Sequence, residues 1–134
     1  MAFVGAAMIL WDDVLDQEFP PEHPNLEKKL AEIDEFRQIS ISYVEDSFFP
    51  RTSQELGSPP NDGCAVFREA VPSLLEAGET QFQRECFVEE MRKFLGSSDD
   101  EQKQRASGKL PSIEEFWRYR HDTEATGVFC SMHQ

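Results

Sequence analysis

Residues 26–48 read LEKKLAEIDEFRQISISYVEDSF, and within them Leu26, Leu30, Ile33, Arg37, Ile41, Val44 and Phe48 recur every three or four positions. Glu27, Lys28, Lys29, Glu32 and Glu35 fill the places between. At 3.6 residues per turn this spacing brings the first set onto one face, so the stretch is an amphipathic helix. Asn25, just ahead, has a side-chain oxygen that can cap its free backbone N–H groups. A period this clear points to an all-α protein.

Working outward, Pro20, Pro21 and Pro24 stop an earlier helix that spans Ala2 to about Asp16. That helix is apolar on every side until its acids begin, a pattern that belongs inside a larger protein. Downstream, 50–63 holds several Pro, Ser and Gly residues and is a predicted loop. A third helix is expected from Cys64 to Ala77, with Phe67, Ala70, Val71, Leu74 and Leu75 inward and a kink at Pro72. A fourth is expected from Glu79 to Leu95, with Phe82, Cys86, Met91, Phe94 and Leu95 as its apolar side. The polar, charged run 96–110 is a second predicted loop. Pro111, Ser112 and Glu115 then open a fifth helix, and Ser112 and Glu115 have the spacing of a capping box. No strand pattern, hairpin turn or internal repeat is visible. The expectation is a bundle of five to six helices in one domain, 1–134.

Composition narrows the partners. Thirteen Lys and Arg face 26 Asp and Glu, a formal charge of −13. A field of that sign repels nucleic acid and anionic membrane, so neither is an expected partner. An anionic substrate stays open, because a bound metal ion inverts the local charge. Eleven Phe against two Trp and two Tyr suit a thick helical core or the wall of a hydrocarbon pocket, and composition does not choose. Cys64, Cys86 and Cys130 have no zinc-type spacing and are read as reduced thiols of a cytoplasmic protein. The apolar opening from Ala2 to Trp11 is too short to span a bilayer. Left uncovered, the same helix is a sticky surface through which copies of the chain could associate.

Two clusters could carry chemistry. In the first, Trp11-Asp12-Asp13-Val14-Leu15-Asp16, the carboxylates of Asp12 and Asp16 lie four residues apart and project from one helical face. Side-by-side carboxylates favour a cation, and Mg²⁺ takes hard oxygen ligands while keeping places for water or phosphate. The plain alternative is a solvated acidic helix end. In the second cluster Ile113, Phe116, Trp117 and Arg120 share one face, so Arg120 points with the apolar residues. A buried arginine needs an anion, either a phosphate or an internal carboxylate. Arg118 falls near Glu114 and Glu115 at surface-pair spacing, and the small and β-branched residues from Thr123 to Gly127 are consistent with a helix break.

The order W-D-D-x-x-D, three helices, then S-I-E-E-F-W-R-Y-R-H-D-T resembles the class I terpene synthases, particularly the fungal-type cyclases. The resemblance covers nearly all of this chain and about the middle of the family domain, so a partial bundle truncated at both ends is expected. It implies Mg²⁺-dependent ionisation and cyclisation of a prenyl diphosphate, with farnesyl diphosphate the expected substrate. It makes Asp12 the principal metal ligand, with Asp13 and Asp16 assisting or hydrogen bonding. It aligns Arg120 with the arginine that senses diphosphate, and Thr123 with the linker position after it. Two departures stand out: Glu124 occupies a place where the family usually carries a small residue, and no N-D-x-x-S-x-x-x-E motif follows Arg120. The second departure leaves a different class open, a non-catalytic helical remnant or interaction protein. A chain-elongating prenyltransferase also uses aspartate-rich motifs, but the residues around Arg120 fit the cyclases better.

Overall fold

The computed structural model describes residues 2–18, 25–50, 56–76, 80–123 and 126–131. They form six helices: α1 (Ala2–Glu18), α2 (Leu26–Phe48), α3 (Asp62–Glu76), α4 (Gln81–Ser107), α5 (Ile113–Thr123) and α6 (Thr126–Ser131). No strand occurs among the described residues, and the chain is all-α. None of the helices there is long and apolar enough to cross a membrane.

Local chemistry sets the helix ends. Asn25 Oδ1 accepts from Lys28 N at 3.1 Å and caps α2. Asn61 Oδ1 accepts from Cys64 N at 2.9 Å, which starts α3 two residues before the predicted Cys64. Ser112 and Glu115 form the predicted capping box of α5, with Glu115 N donating to Ser112 Oγ at 3.2 Å and Ser112 N to Glu115 Oε2 at 2.9 Å. Thr80 and Gln83 make a second box at the start of α4.

α4 is the organising element: α2, α5 and α6 all pack on it, while α1 lies mainly on α3. The α1–α3 crossing is close because Gly63 has no side chain. A Cβ there would sit 2.8 Å from Trp11 Cβ and 3.0 Å from the Ala7 carbonyl oxygen. Phe48, Phe67 and Phe87 join α2, α3 and α4 at centroid distances of 5.1 to 6.1 Å. Phe48, Phe67, Phe87 and Phe94 are buried and are used to build core. A residual apolar void of about 20 Å³ lies among Trp11, Gly63, Phe67, Met91 and their neighbours. That is room for about one water, where a site for a drug-sized ligand spans roughly 300–1,000 Å³.

In α2 the predicted stripe is sound: Ile33, Arg37, Val44 and Phe48 are buried, and Leu30 and Ile41 half-buried. Arg37, only 2% exposed, holds its apolar register because polar partners travel with it. Its Nε donates to Ser98 Oγ at 3.0 Å, and Nη1 reaches Asp34 at 3.2 Å and Asp99 at 3.5 Å.

Several expectations are corrected. Residues 96–107 are not a loop but the second half of α4; only 108–112 separate it from α5. Ion pairs four residues apart, Asp99–Lys103 and Glu101–Arg105, support that half, and Ser98 and Gln102 are buried. Gly108, at φ +64°, ends it. Phe82 is exposed, and Phe87 and Val88 are buried beside Met91, Phe94 and Leu95 instead. α1 is covered on one stripe alone, Val4, Ala7, Met8, Trp11 and Leu15, while Ile9 is 65% exposed. The face of α5 that carries Ile113, Phe116 and Trp117 is turned outward, with Trp117 62% exposed. The predicted kink at Pro72 falls inside α3, which continues through it to Glu76. Ala77, Glu79 and the Pro20–Pro24 stop lie outside the described residues.

Candidate metal centre

The candidate site begins with a tryptophan. Trp11 is buried, its ring 5.5 Å from Phe36 and 6.0 Å from Phe94, and its Nε1 donates to Ser40 Oγ at 2.9 Å. The Ser40 hydroxyl donates in turn to the Phe36 carbonyl at 2.8 Å and accepts from Asn61 Nδ2 at 2.9 Å. One buried hydroxyl thereby satisfies groups from α1 and from the start of α3, and its own donor as well. This network fixes the rotation of α1. With Trp11 and Leu15 inward, Asp12, Asp13 and Asp16 come out on the exposed side.

The partners of the aspartates come from α4. Arg105 Nη1 lies 3.0 Å from Asp16 Oδ1, and its Nη2 lies 2.7 Å from Glu101 Oε1. Burial works against the charged guanidinium, yet Glu101 and Asp16 outweigh it and hold the Arg105 pKa above its usual value. Lys29 of α2 is buried; loss of water lowers its ammonium pKa, and the Asp16 charge opposes the shift. Burial raises the Asp12 carboxyl, and the charges of Asp16, Glu101 and Asp13 raise it further, with Arg105 opposing. Four carboxylates crowd this corner against Arg105 and Lys29. That is an environment short of positive charge.

A divalent cation suits such a deficit. No group of three or more His, Cys, Asp or Glu side chains arranged to hold a metal occurs among the described residues. The donor set is open rather than caged: Asp12 is free of a direct salt bridge among the described pairs, and Asp16 is held by Arg105. Mg²⁺ is commonly held by one or two carboxylates, with substrate phosphates and water in its other positions, and Asp12 with Asp16 fits that demand.

The second predicted cluster is placed differently. Arg120 is half-buried on α5, and it is not among the charges that shift Asp12, which come from α1 and α4. Thr123 closes α5, but its side chain lies outside the described residues, as does the whole of Glu124. The break expected between Thr123 and Gly127 falls on residues 124–125, which lie outside the described residues. Arg118 lies near Glu115 as its spacing predicts; the Ser112 hydrogen bonds lower the Glu115 pKa first, and Arg118 adds to them. Glu101 and Arg105 are the residues that sequence reasoning missed. Their spacing of four was the available signal, hidden inside a run taken for a loop.

The described residues thus form an all-α bundle that turns an aspartate triplet outward beside Arg105 and Lys29. The family model described as terpene synthase family 2, C-terminal metal binding, matches residues 4–134, and the chain belongs to that family. No curated protein and no solved structure matches it.

Proposed function

We propose that this chain serves the Mg²⁺-dependent ionisation and cyclisation of a prenyl diphosphate, with farnesyl diphosphate as substrate. The observation that carries the proposal is the α1 corner, where Asp12 and Asp16 share one face of a helix whose rotation Trp11 and Ser40 fix. Bound Mg²⁺ would supply Lewis-acid stabilisation of the departing diphosphate. Asp12 is the ligand that remains open, Asp16 the ligand to be released from Arg105, and Asp13 the assisting carboxylate. Arg120 offers a planar fork of donors to diphosphate oxygens, and Thr123 links it to the following turn. A cytoplasmic setting suits the free thiols Cys64, Cys86 and Cys130.

A second reading, a non-catalytic helical protein, rests on the apolar void among Trp11, Gly63, Phe67 and Met91, which is about 20 Å³. Incubation with farnesyl diphosphate and Mg²⁺, followed by hydrocarbon analysis, separates the two. A terpene product that disappears in Asp12→Ala supports the cyclase. A well-folded chain that gives no product and shows no Mg²⁺-dependent diphosphate binding by calorimetry supports the second reading.

A further inference from the structure

The aspartate-rich end of α1 already has a cationic partner. Arg105 spans from α4 to Asp16 while holding Glu101 four residues back on its own helix, so one guanidinium bridges two carboxylates. The bridge has features of a reversible contact. Arg105 lies in the last turn of α4, ahead of the Gly108 cap, where a long side chain can swing without disturbing the core. Arg105 and Asp16 are about half exposed, at 47% and 54%, so water can replace either partner at low cost. Arg37, on the α2–α4 seam, is by contrast buried and tied to Ser98, Asp34 and Asp99. The second arginine is built to stay.

We propose that Arg105 is the displaceable counter-ion of the metal centre: it occupies Asp16 until a divalent cation competes for that carboxylate. Arg105 is in this sense a positioning residue. While it holds Asp16, that carboxylate is closed to a metal; once it leaves, Asp12 and Asp16 are both available from the same side of α1. Its release also frees Glu101 and removes one tie between α1 and α4. The inference rests on the metal-centre reading above, and it adds a cost to metal binding set by a residue outside the aspartate motif.

The test is calorimetric titration of the full chain with Mn²⁺ alone, with no substrate, for wild type, Arg105→Gln, Lys103→Gln and Asp12→Ala. Arg105→Gln is expected to tighten Mn²⁺ binding on the order of two- to fivefold, the range that an exposed ion pair can contribute. Lys103→Gln removes the same charge from α4, at a residue paired to Asp99 instead, and is expected to stay within a factor of about 1.5 of wild type. Circular dichroism confirms that each variant is folded. Unchanged or weaker Mn²⁺ binding in Arg105→Gln, where wild-type binding is present and lost in Asp12→Ala, overturns the counter-ion role and leaves the metal centre standing. Equal tightening in both charge variants overturns it too, because net charge alone would then explain the effect. Absence of Mn²⁺ binding in wild type and Arg105→Gln alike overturns the metal centre, and the counter-ion with it.

Discussion

At the scale of single residues, the weight of this structure falls on a few buried polar atoms. Ser40 is the clearest case, since its hydroxyl meets Trp11, Asn61 and the Phe36 carbonyl at once. Ser40→Ala strands the indole N–H and the Asn61 amide, and chemical denaturation is expected to show a loss of about 1–3 kcal/mol. An unchanged midpoint would mean that Trp11 finds its partner elsewhere. Cys64 lies in the same region, with burial pushing its thiol from 9.0 up to about 11 while Ser40 and Asn61 oppose the shift. The folded chain keeps that proton to higher pH than the unfolded chain does. The stabilisation is therefore full below pH 9 and disappears as the pH climbs toward 11. Thiol titration of the native chain at pH 8 should label exposed Cys130 and leave Cys64 unreacted, and fast labelling of Cys64 would contradict its burial.

Among the elements, α4 decides most. It carries Arg105, the partner of Asp16, and its second half exists because ion pairs and two buried polar residues hold it, although the stretch is polar and rich in Ser and Asp. Two glycines test this in opposite directions. Gly96 lies within the helix with open space around it, so Gly96→Ala is expected to stabilise the chain by about 0.8–1.0 kcal/mol. Gly108 has φ +64° and equally open surroundings, so Gly108→Ala costs about 1–2 kcal/mol through backbone strain alone. Thermal unfolding of the pair reads both signs. A neutral Gly96→Ala would return 96–107 to the loop that its composition suggests.

For the molecule as a whole, the dominant field is the −13 formal charge. Acids outnumber bases by four to none on α1 and by six to three on α2, and self-repulsion of this kind weakens the compact state. Added NaCl screens it, because the Debye length falls from about 10 Å at 0.1 M to about 3 Å at 1 M. The melting temperature is therefore expected to rise between low and moderate salt in differential scanning. A flat or falling profile would show that ion pairs such as Arg105–Asp16 outweigh the repulsion.

The sequence by itself determined the helical class, four of the six helices to within a few residues, the stripe of α2 with Arg37 on it, the capping box at Ser112 and the aspartate face of α1. These are local properties, set by periodicity and by side chains reaching two to four residues along the chain. Tertiary structure alone decided which apolar faces were covered. Nothing within α5 distinguishes Ile113 and Trp117, left outside, from the buried Phe87 and Val88 of α4. The same holds for the site. Asp12 and Asp16 were visible in the chain, whereas the Arg105 that reaches Asp16 is 89 residues away and meets it only because the fold brings the last turn of α4 within side-chain reach of α1. Spacing reports what shares a helical face; which faces meet depends on how all the helices bury their apolar surface together.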